Sequence, residues 1–365
     1  MKVCQIYNIA SHYRAAIYSL IDRTYDCDMY CSKKFNDINT LDYSLLSGNV
    51  KELRTIRCGS ISYQVGVPSL AFKKYDVYLV TGDTWSVSTW LFLLLSRIFN
   101  RKVYLWTHGL LGREKGIRQK LNVLFIKLAT GAFIYSNRSK QLLVSAGVSA
   151  DILYVIHNSL DYDTQLAIRR HIKPSPIFAN HFSSGSKTII FIGRLTRVKR
   201  LDVLIDALSV LNKTANVFNL VLVGTGQDRP FLEEKVNKLE LQDCVWFYGA
   251  SYNEESNAEL IYNADLCVAP GNIGLTAMHT MVYGTPCISN NDYDSQMPEH
   301  EAIIAGKTGD FFDKDDVDSL VATIKRWFEN HKDRETVRKD CYEEIDARWT
   351  PEFQLNVIKE VFDNA

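Results

Sequence analysis

No two cysteines in this chain are spaced as Cys-x-x-Cys, and the eight present, at positions 4, 27, 31, 58, 244, 267, 287 and 341, show no zinc-like spacing. A zinc site or dithiol redox motif built on cysteine is therefore not expected. Cys4, Cys267 and Cys287 lie within apolar strand-like runs, so the thiols read as reduced packing residues of a reducing compartment. Long apolar stretches are missing too. The longest, around Trp85 to Leu95, falls short of the roughly 20 residues that a membrane-spanning helix requires, and it reads as a buried helix. The opening MKVCQIYNIA alternates like a first strand and has none of the regions of a cleavable signal peptide. These features predict a cytoplasmic protein. A complete dinucleotide fingerprint is also lacking: Gly224-Thr225-Gly226 has neither the third glycine nor the downstream acid, so no NAD site is read.

What is present suits two domains of ordinary size. The 365 residues are 46% hydrophobic and 23% charged, a globular composition. Formal net charge is zero, yet residues 1–175 carry about 23 Lys and Arg against about 12 Asp and Glu, leaving about 19 against about 30 for the rest. The basic first half suits an anionic partner such as a phospholipid surface or a lipid pyrophosphate. Two solvated surfaces with no such partner would read the same way. No nucleic-acid partner is expected.

Short apolar runs alternate with helical patterns throughout, the signature of βαβ units and parallel sheets. Strands are predicted at 3–7, 77–80, 103–106, 133–135 and 153–156, then at 188–192, 220–223, 245–247, 266–269, 287–289 and 310–312. Helices are expected over 85–99 and over the basic amphipathic stretch 113–128, which could rest on a membrane surface or be an ordinary surface helix. The period breaks in RHIKPSPIFANHFSSGS, a linker composition. The predicted fold is α/β, with two doubly wound Rossmann-like domains facing across a cleft. Its parts are a first domain over 1–172, a linker over 173–186, a second domain over 187–348, and a terminal helix over 349–365 that packs back toward the first domain. In such sheets ligands sit beyond the carboxyl ends of the strands.

Two segments carry candidate chemistry. In APGNIGLTAMHTMVYGTPCISN, from Ala269 to Asn290, a helix opens behind Gly271 and Gly274, and backbone N–H groups at such a point bind anions. In GRLTRVKRLDVLIDAL, from Gly193, the cations Arg194 and Lys199 straddle a strand-to-helix turn, a pair suited to a diphosphate or, equally, two solvated loop charges.

Together with VLVGTGQDRPFLEE, VWFYGA, IYNADLCVAPGNIGLTAMHTMVYGTPCIS and PEHEAIIAGKTGDFF, these segments resemble the nucleotide-sugar domain of family-four retaining glycosyltransferases of GT-B fold. IHNSLDYD at 156–163 resembles that family's segment before the domain crossover, and THG at 107–109 its N-domain histidine loop. The resemblance is strong from Gly193 to Phe312 and weak over the first hundred residues. It implies a metal-independent hexosyltransferase, with a nucleotide-diphosphate sugar as co-substrate and a glycan or lipid-linked glycan as acceptor, in surface polysaccharide assembly. It also implies that Arg194 and Lys199 grip the donor diphosphate, that Gly193, Gly224, Gly271, Asn272, Ile273, Gly274 and Leu275 line the donor site, and that His108 stands near sugar and phosphate. The family's paired glutamates fall here on Gly271 and His279. Gly271 offers no side chain to the sugar, and a neutral imidazole does only part of a carboxylate's work on ribose hydroxyls. Asp83 is either the base that takes the acceptor proton or a helix N-cap. Ser11, His12, Tyr13 and Arg14 would line the acceptor side, and Glu299 would be an early helix residue. The DxD patterns at 161–163 and 292–294 lack the context of a metal-dependent transferase, and no metal or other cofactor is expected. The rival reading is a catalytically inactive transferase-like subunit that supports a partner enzyme. A nucleotide-sugar epimerase would need carboxylates that this loop lacks.

Overall fold

The computed structural model describes residues 1–33, 40–183, 186–213 and 218–364, so residues 184 and 185 of the expected linker lie outside the described residues. The chain divides into unit 1, Met1–Tyr162 with Arg348–Ala365, and unit 2, Asp163–Ala347. The division falls earlier than the composition break suggests. The helix Tyr162–His171 is tied into unit 2 by Gln165 donating to Glu254 at 2.9 Å and by a forked Arg169 to Asp346 contact at 2.8–2.9 Å. The expected linker itself contains a short helix, Ile177–His181.

Unit 1 is built on a seven-stranded parallel sheet. Its strands are β1 (Lys2–Tyr7), β2 (Asp26–Ser32), β3 (Asn49–Leu53), β6 (Val77–Thr81), β7 (Val103–Thr107), β8 (Gly131–Ile134) and β9 (Leu153–Val155), in the order β3-β2-β1-β6-β7-β8-β9. A small antiparallel hairpin pairs β4 (Thr55–Cys58) with β5 (Ile61–Gln64). Successive side chains of β1 enter different cores: Val3 and Tyr7 one, Cys4 and Ile6 the other. This two-sided burial is why apolar residues stand on both faces of the strand, with the buried Gln5 among them. The terminal helix Pro351–Asp363 starts on Thr350, whose hydroxyl accepts from the Phe353 N–H, with Pro351 in the first turn. Its Leu355, Ile358 and Phe362 join the core that contains Val3, each burial contributing about 1.5–3 kcal/mol.

Unit 2 repeats the plan with β10 (Lys187–Ile192), β11 (Phe218–Val223), β12 (Val245–Gly249), β13 (Leu266–Ala269), β14 (Cys287–Asn290) and β15 (Gly309–Phe312) in the parallel order β12-β11-β10-β13-β14-β15. The order reverses beside β10, which sets the loops after β10 and β13 side by side at the carboxyl edge of the sheet, the usual place for a ligand in such folds. Among the described residues no helix is long and apolar enough to cross a membrane.

Candidate functional site

Three loops converge at the carboxyl edge of unit 2. Gly193, at φ 148°, leaves β10 and donates its N–H to Val223, while Leu195 donates to Thr225 in the neighbouring loop. Gly224 permits this approach. A Cβ there would stand 1.9 Å from the Gly193 carbonyl oxygen, so no other residue fits. The chain then makes a short helical turn, Arg197–Lys199, before the helix Leu201–Leu211. Lys199 ends that turn half-buried, its Nζ donating to the Asn272 carbonyl at 2.6 Å. Burial pushes its pKa down to about 8, the Arg194 charge adds to the effect, and the Glu299 carboxylate opposes it. The two cations are therefore close enough to feel each other, with Arg194 exposed and Lys199 recessed. Glu299, buried in the turn Pro298–Ala302, has an electrostatic part beyond its place in a helical turn.

The loop after β13 packs against this turn backbone to backbone. Gly271 donates to the Lys199 carbonyl at 3.0 Å and Asn272 to that of Val198 at 3.1 Å. A Cβ on Gly271 would lie 2.0 Å from the Val198 oxygen, so position 271 has no room for any side chain. Asn290 and Gln296 hold the loop from behind: both side-chain amides donate to the Gly271 carbonyl, and Gln296 Oε1 accepts the Ile273 N–H. Ile273 is fully buried and serves as scaffold, and the Asn272 side-chain NH₂ donates to the Ser295 carbonyl, while among the described residues nothing donates to its Oδ1. Gly274 adopts φ 57°, and among the described residues no acceptor takes the N–H groups of Gly274 and Leu275. His279, in the helix Thr276–Met281, faces Glu254 at 3.0 Å, and the same Glu254 oxygen accepts from Tyr283 at 2.7 Å and Gln165 at 2.9 Å. Burial alone would raise the Glu254 pKa. The hydrogen bond and charge of His279, with Gln165 and Tyr283, outweigh it and hold the carboxyl down at about 2. Glu254, Asn290 and Gln296 escaped the sequence reading. The one available signal for Glu254 was an acid opening a helix just after a strand.

In unit 1 a cavity of about 350 Å³ sits at the carboxyl ends of the four adjacent strands β1, β6, β7 and β8. Ser11, Tyr13, Arg14, Asp83 and His108 all line it, whereas His12 is exposed, edge-on to the Tyr13 ring, and does not. His108 is depressed to about 4 by burial first and then by the charges of Arg14 and Arg113, so it is a neutral hydrogen-bonding group near pH 7. Burial raises the Asp83 carboxyl, partly offset by the Trp85 N–H at 2.9 Å and by Arg57. Asp83 does not cap a helix. Ser86 holds the N-cap position of Val87–Ile98, and Asp83 closes a local turn onto Trp85 instead. A half-desolvated carboxylate with a raised pKa is suited to accepting a proton. Among the described residues no three metal-ligating side chains cluster.

Residues 174–344 match the family model for glycosyl transferases group 1. The matched residues lie within unit 2. An uncharacterized 41.2 kDa protein in the cps region of Klebsiella pneumoniae is 26% identical over 265 residues, 70% of this chain and 64% of that protein. The aligned part thus spans just under two thirds of that relative's length. Among solved structures, the lipopolysaccharide outer core galactosyltransferase WaaB in apo form matches with a TM-score of 0.73 at 18% identity, and Anabaena HepE in complex with UDP with 0.72 at 16%, each over 100% of both chains. The chain has the GT-B fold of these structures.

Proposed function

We propose that the chain is a retaining glycosyltransferase that moves a sugar from a nucleotide-diphosphate donor to a hydroxyl of a glycan or lipid-linked glycan acceptor in surface polysaccharide assembly. The observation that carries this reading is the recessed Lys199 beside Arg194, on a turn locked to the Gly271 loop by two backbone hydrogen bonds. Keeping two like charges together costs energy, and a diphosphate returns it by neutralising both. As the anomeric C–O bond of the donor breaks, the nucleoside diphosphate leaves with the bonding electrons, the acceptor oxygen bonds to the anomeric carbon, and the same cations neutralise the developing charge; each preorganised donor of this kind is worth ~3 kcal/mol. In unit 1, Asp83 takes the acceptor proton while neutral His108 hydrogen-bonds near the reacting sugar. HepE solved with UDP and with UDP-glucose, and the cps-region relative, support the donor class and the pathway class.

Peripheral attachment to an anionic membrane fits the same reading. Leu91, Leu94 and Ile98 of the helix Val87–Ile98 and Ile117, Leu121 and Leu124 of the helix Ile117–Leu128 are large exposed apolar side chains, interspersed with Arg97, Arg118 and Lys120. Co-sedimentation with phosphatidylglycerol vesicles that survives Leu121→Asp/Leu124→Asp would remove this part of the proposal.

The inactive-subunit reading has one observation in its favour, the absence of space for any side chain at position 271. A thermal-shift screen with UDP-, GDP-, CMP- and dTDP-sugars separates the readings. At least one donor stabilises the wild type, and Arg194→Ala loses that stabilisation. No stabilisation by any donor sinks the assignment.

A further inference from the structure

The Arg14 guanidinium is wrapped by aromatic rings, with Tyr135, Trp106 and Tyr13 centroids 5.2, 5.4 and 5.7 Å from its central carbon. Rings stabilise the charge and Tyr18 gives the guanidinium a side-chain hydrogen bond, but a phenol oxygen cannot satisfy a guanidinium's five N–H donors. Among the described residues no carboxylate forms an ion pair with Arg14, and its Nε is buried without a hydrogen-bond partner. Such a group is costly to fold around unless something completes it. The same guanidinium lines the 350 Å³ cavity, with neutral His108 and with Asn8, whose Oδ1 is engaged by the Ile9 N–H and whose NH₂ remains a donor. The acid on this wall, Asp83, already gives one oxygen to the Trp85 N–H.

We propose that the unit 1 cavity receives an anionic oxyacid group, a carboxylate or a phosphate, that pairs with the forked donors of Arg14. Planar bidentate recognition of oxyanions is what a guanidinium does and an ammonium does not. If the chain is a glycosyltransferase, this makes its acceptor an anionic one, a uronate-bearing or phosphate-bearing glycan. That assignment of role rests on the reading above, whereas the binding itself does not.

Trp106 supplies a local reporter. Its fluorescence, isolated as the difference between the wild type and Trp106→Phe, would be followed during titration with methyl glucuronide, glycerol 3-phosphate and neutral methyl glucoside. At least one of the two anions is expected to change the signal with at least tenfold tighter binding than the glucoside, and which of them does so identifies the source of the charge. Arg14→Gln should abolish that preference, and Arg14→Lys, which keeps the charge but not the fork, should weaken it about tenfold. Circular dichroism establishes that each variant is folded, and the wild-type arms decide the matter even if Arg14→Gln is not. No anion-dependent change, equal binding of the glucoside, or an undiminished preference in folded Arg14→Gln overturns the proposal. Nucleotide-sugar stabilisation without anion binding fails this proposal alone, and anion binding without nucleotide-sugar stabilisation fails the transferase reading alone.

Discussion

Lys199 in unit 2 and Arg14 in unit 1 are both recessed cations at the carboxyl edge of a parallel sheet, yet their surroundings solve the problem of buried charge in opposite ways. Lys199 has a backbone carbonyl in reach and a second cation nearby, and it responds by becoming easier to deprotonate, with a pKa near 8. Arg14 cannot respond in that way. Burial opposes its charge, but the phenol groups of Tyr135, Tyr18 and Tyr13 outweigh burial, and the guanidinium stays protonated among them. One site is tunable and the other is a fixed positive wall. A tunable ammonium suits a leaving group whose charge changes during reaction, and a fixed guanidinium suits a ligand whose charge does not.

The strongest way to break this comparison is to remove the clamp. Lys199→Ala and Arg194→Ala should each lower kcat/KM for transfer by about 10²–10³, the loss typical of one preorganised donor, with the fold intact by circular dichroism. A smaller effect comes from Gly271→Ala. Its Cβ would strike the Val198 oxygen, pushing the Lys199 turn out of register, and thermal unfolding should show a loss of about 1–3 kcal/mol together with weakened donor binding. A neutral outcome would mean that the two loops are not rigidly joined. No larger is the effect of His279→Glu, which restores the acid that the family resemblance leads one to expect. Because the imidazole lies against Glu254, the variant places two carboxylates side by side and removes a hydrogen bond, costing about 2 kcal/mol at pH 7. Glu254 keeps a low pKa only through its partners, so the loss should shrink as pH falls below 5 and one carboxyl takes a proton. A pH-independent loss would assign the effect to packing instead.

Unit 2 was the more readable half. All six of its strands were anticipated: β10, β11, β13 and β14 are buried along nearly their whole length and read as short, mostly apolar runs, and the partly buried β12 and β15 keep enough apolar and aromatic residues to show. In unit 1, β2 was missed because Asp26 and Asp28 interrupt its buried Cys27 and Met29, β3 and β4 because their residues are mostly exposed, and β5 because its four residues are only partly buried and largely polar. The features of the candidate site that showed in the sequence are those imposed by backbone: glycines where chains touch, and cations on a strand-to-helix turn. What stayed hidden depends on partners far away in the chain. Glu254 is defined by Gln165, His279 and Tyr283, the Arg14 cage by rings arriving from β7 and the loop after β8, and the unit boundary by Arg169 reaching Asp346. A single-residue reading of Gly271 as a lost acid also lacked the reason, which is the carbonyl that fills its side-chain space.

The most direct test is donor affinity against pH, using the nucleotide sugar that gives the largest thermal shift. Lys199 is charged below its folded-state pKa of about 8 and loses its proton as pH rises through it, so wild-type affinity should be flat from pH 6.5 to 7.5 and then fall several-fold by pH 9. Lys199→Arg, which cannot lose its charge, should stay flat over the same range. Wild-type affinity that is unchanged at pH 9, or an equal fall in Lys199→Arg, would contradict the assignment of Lys199 as the clamp on the donor diphosphate.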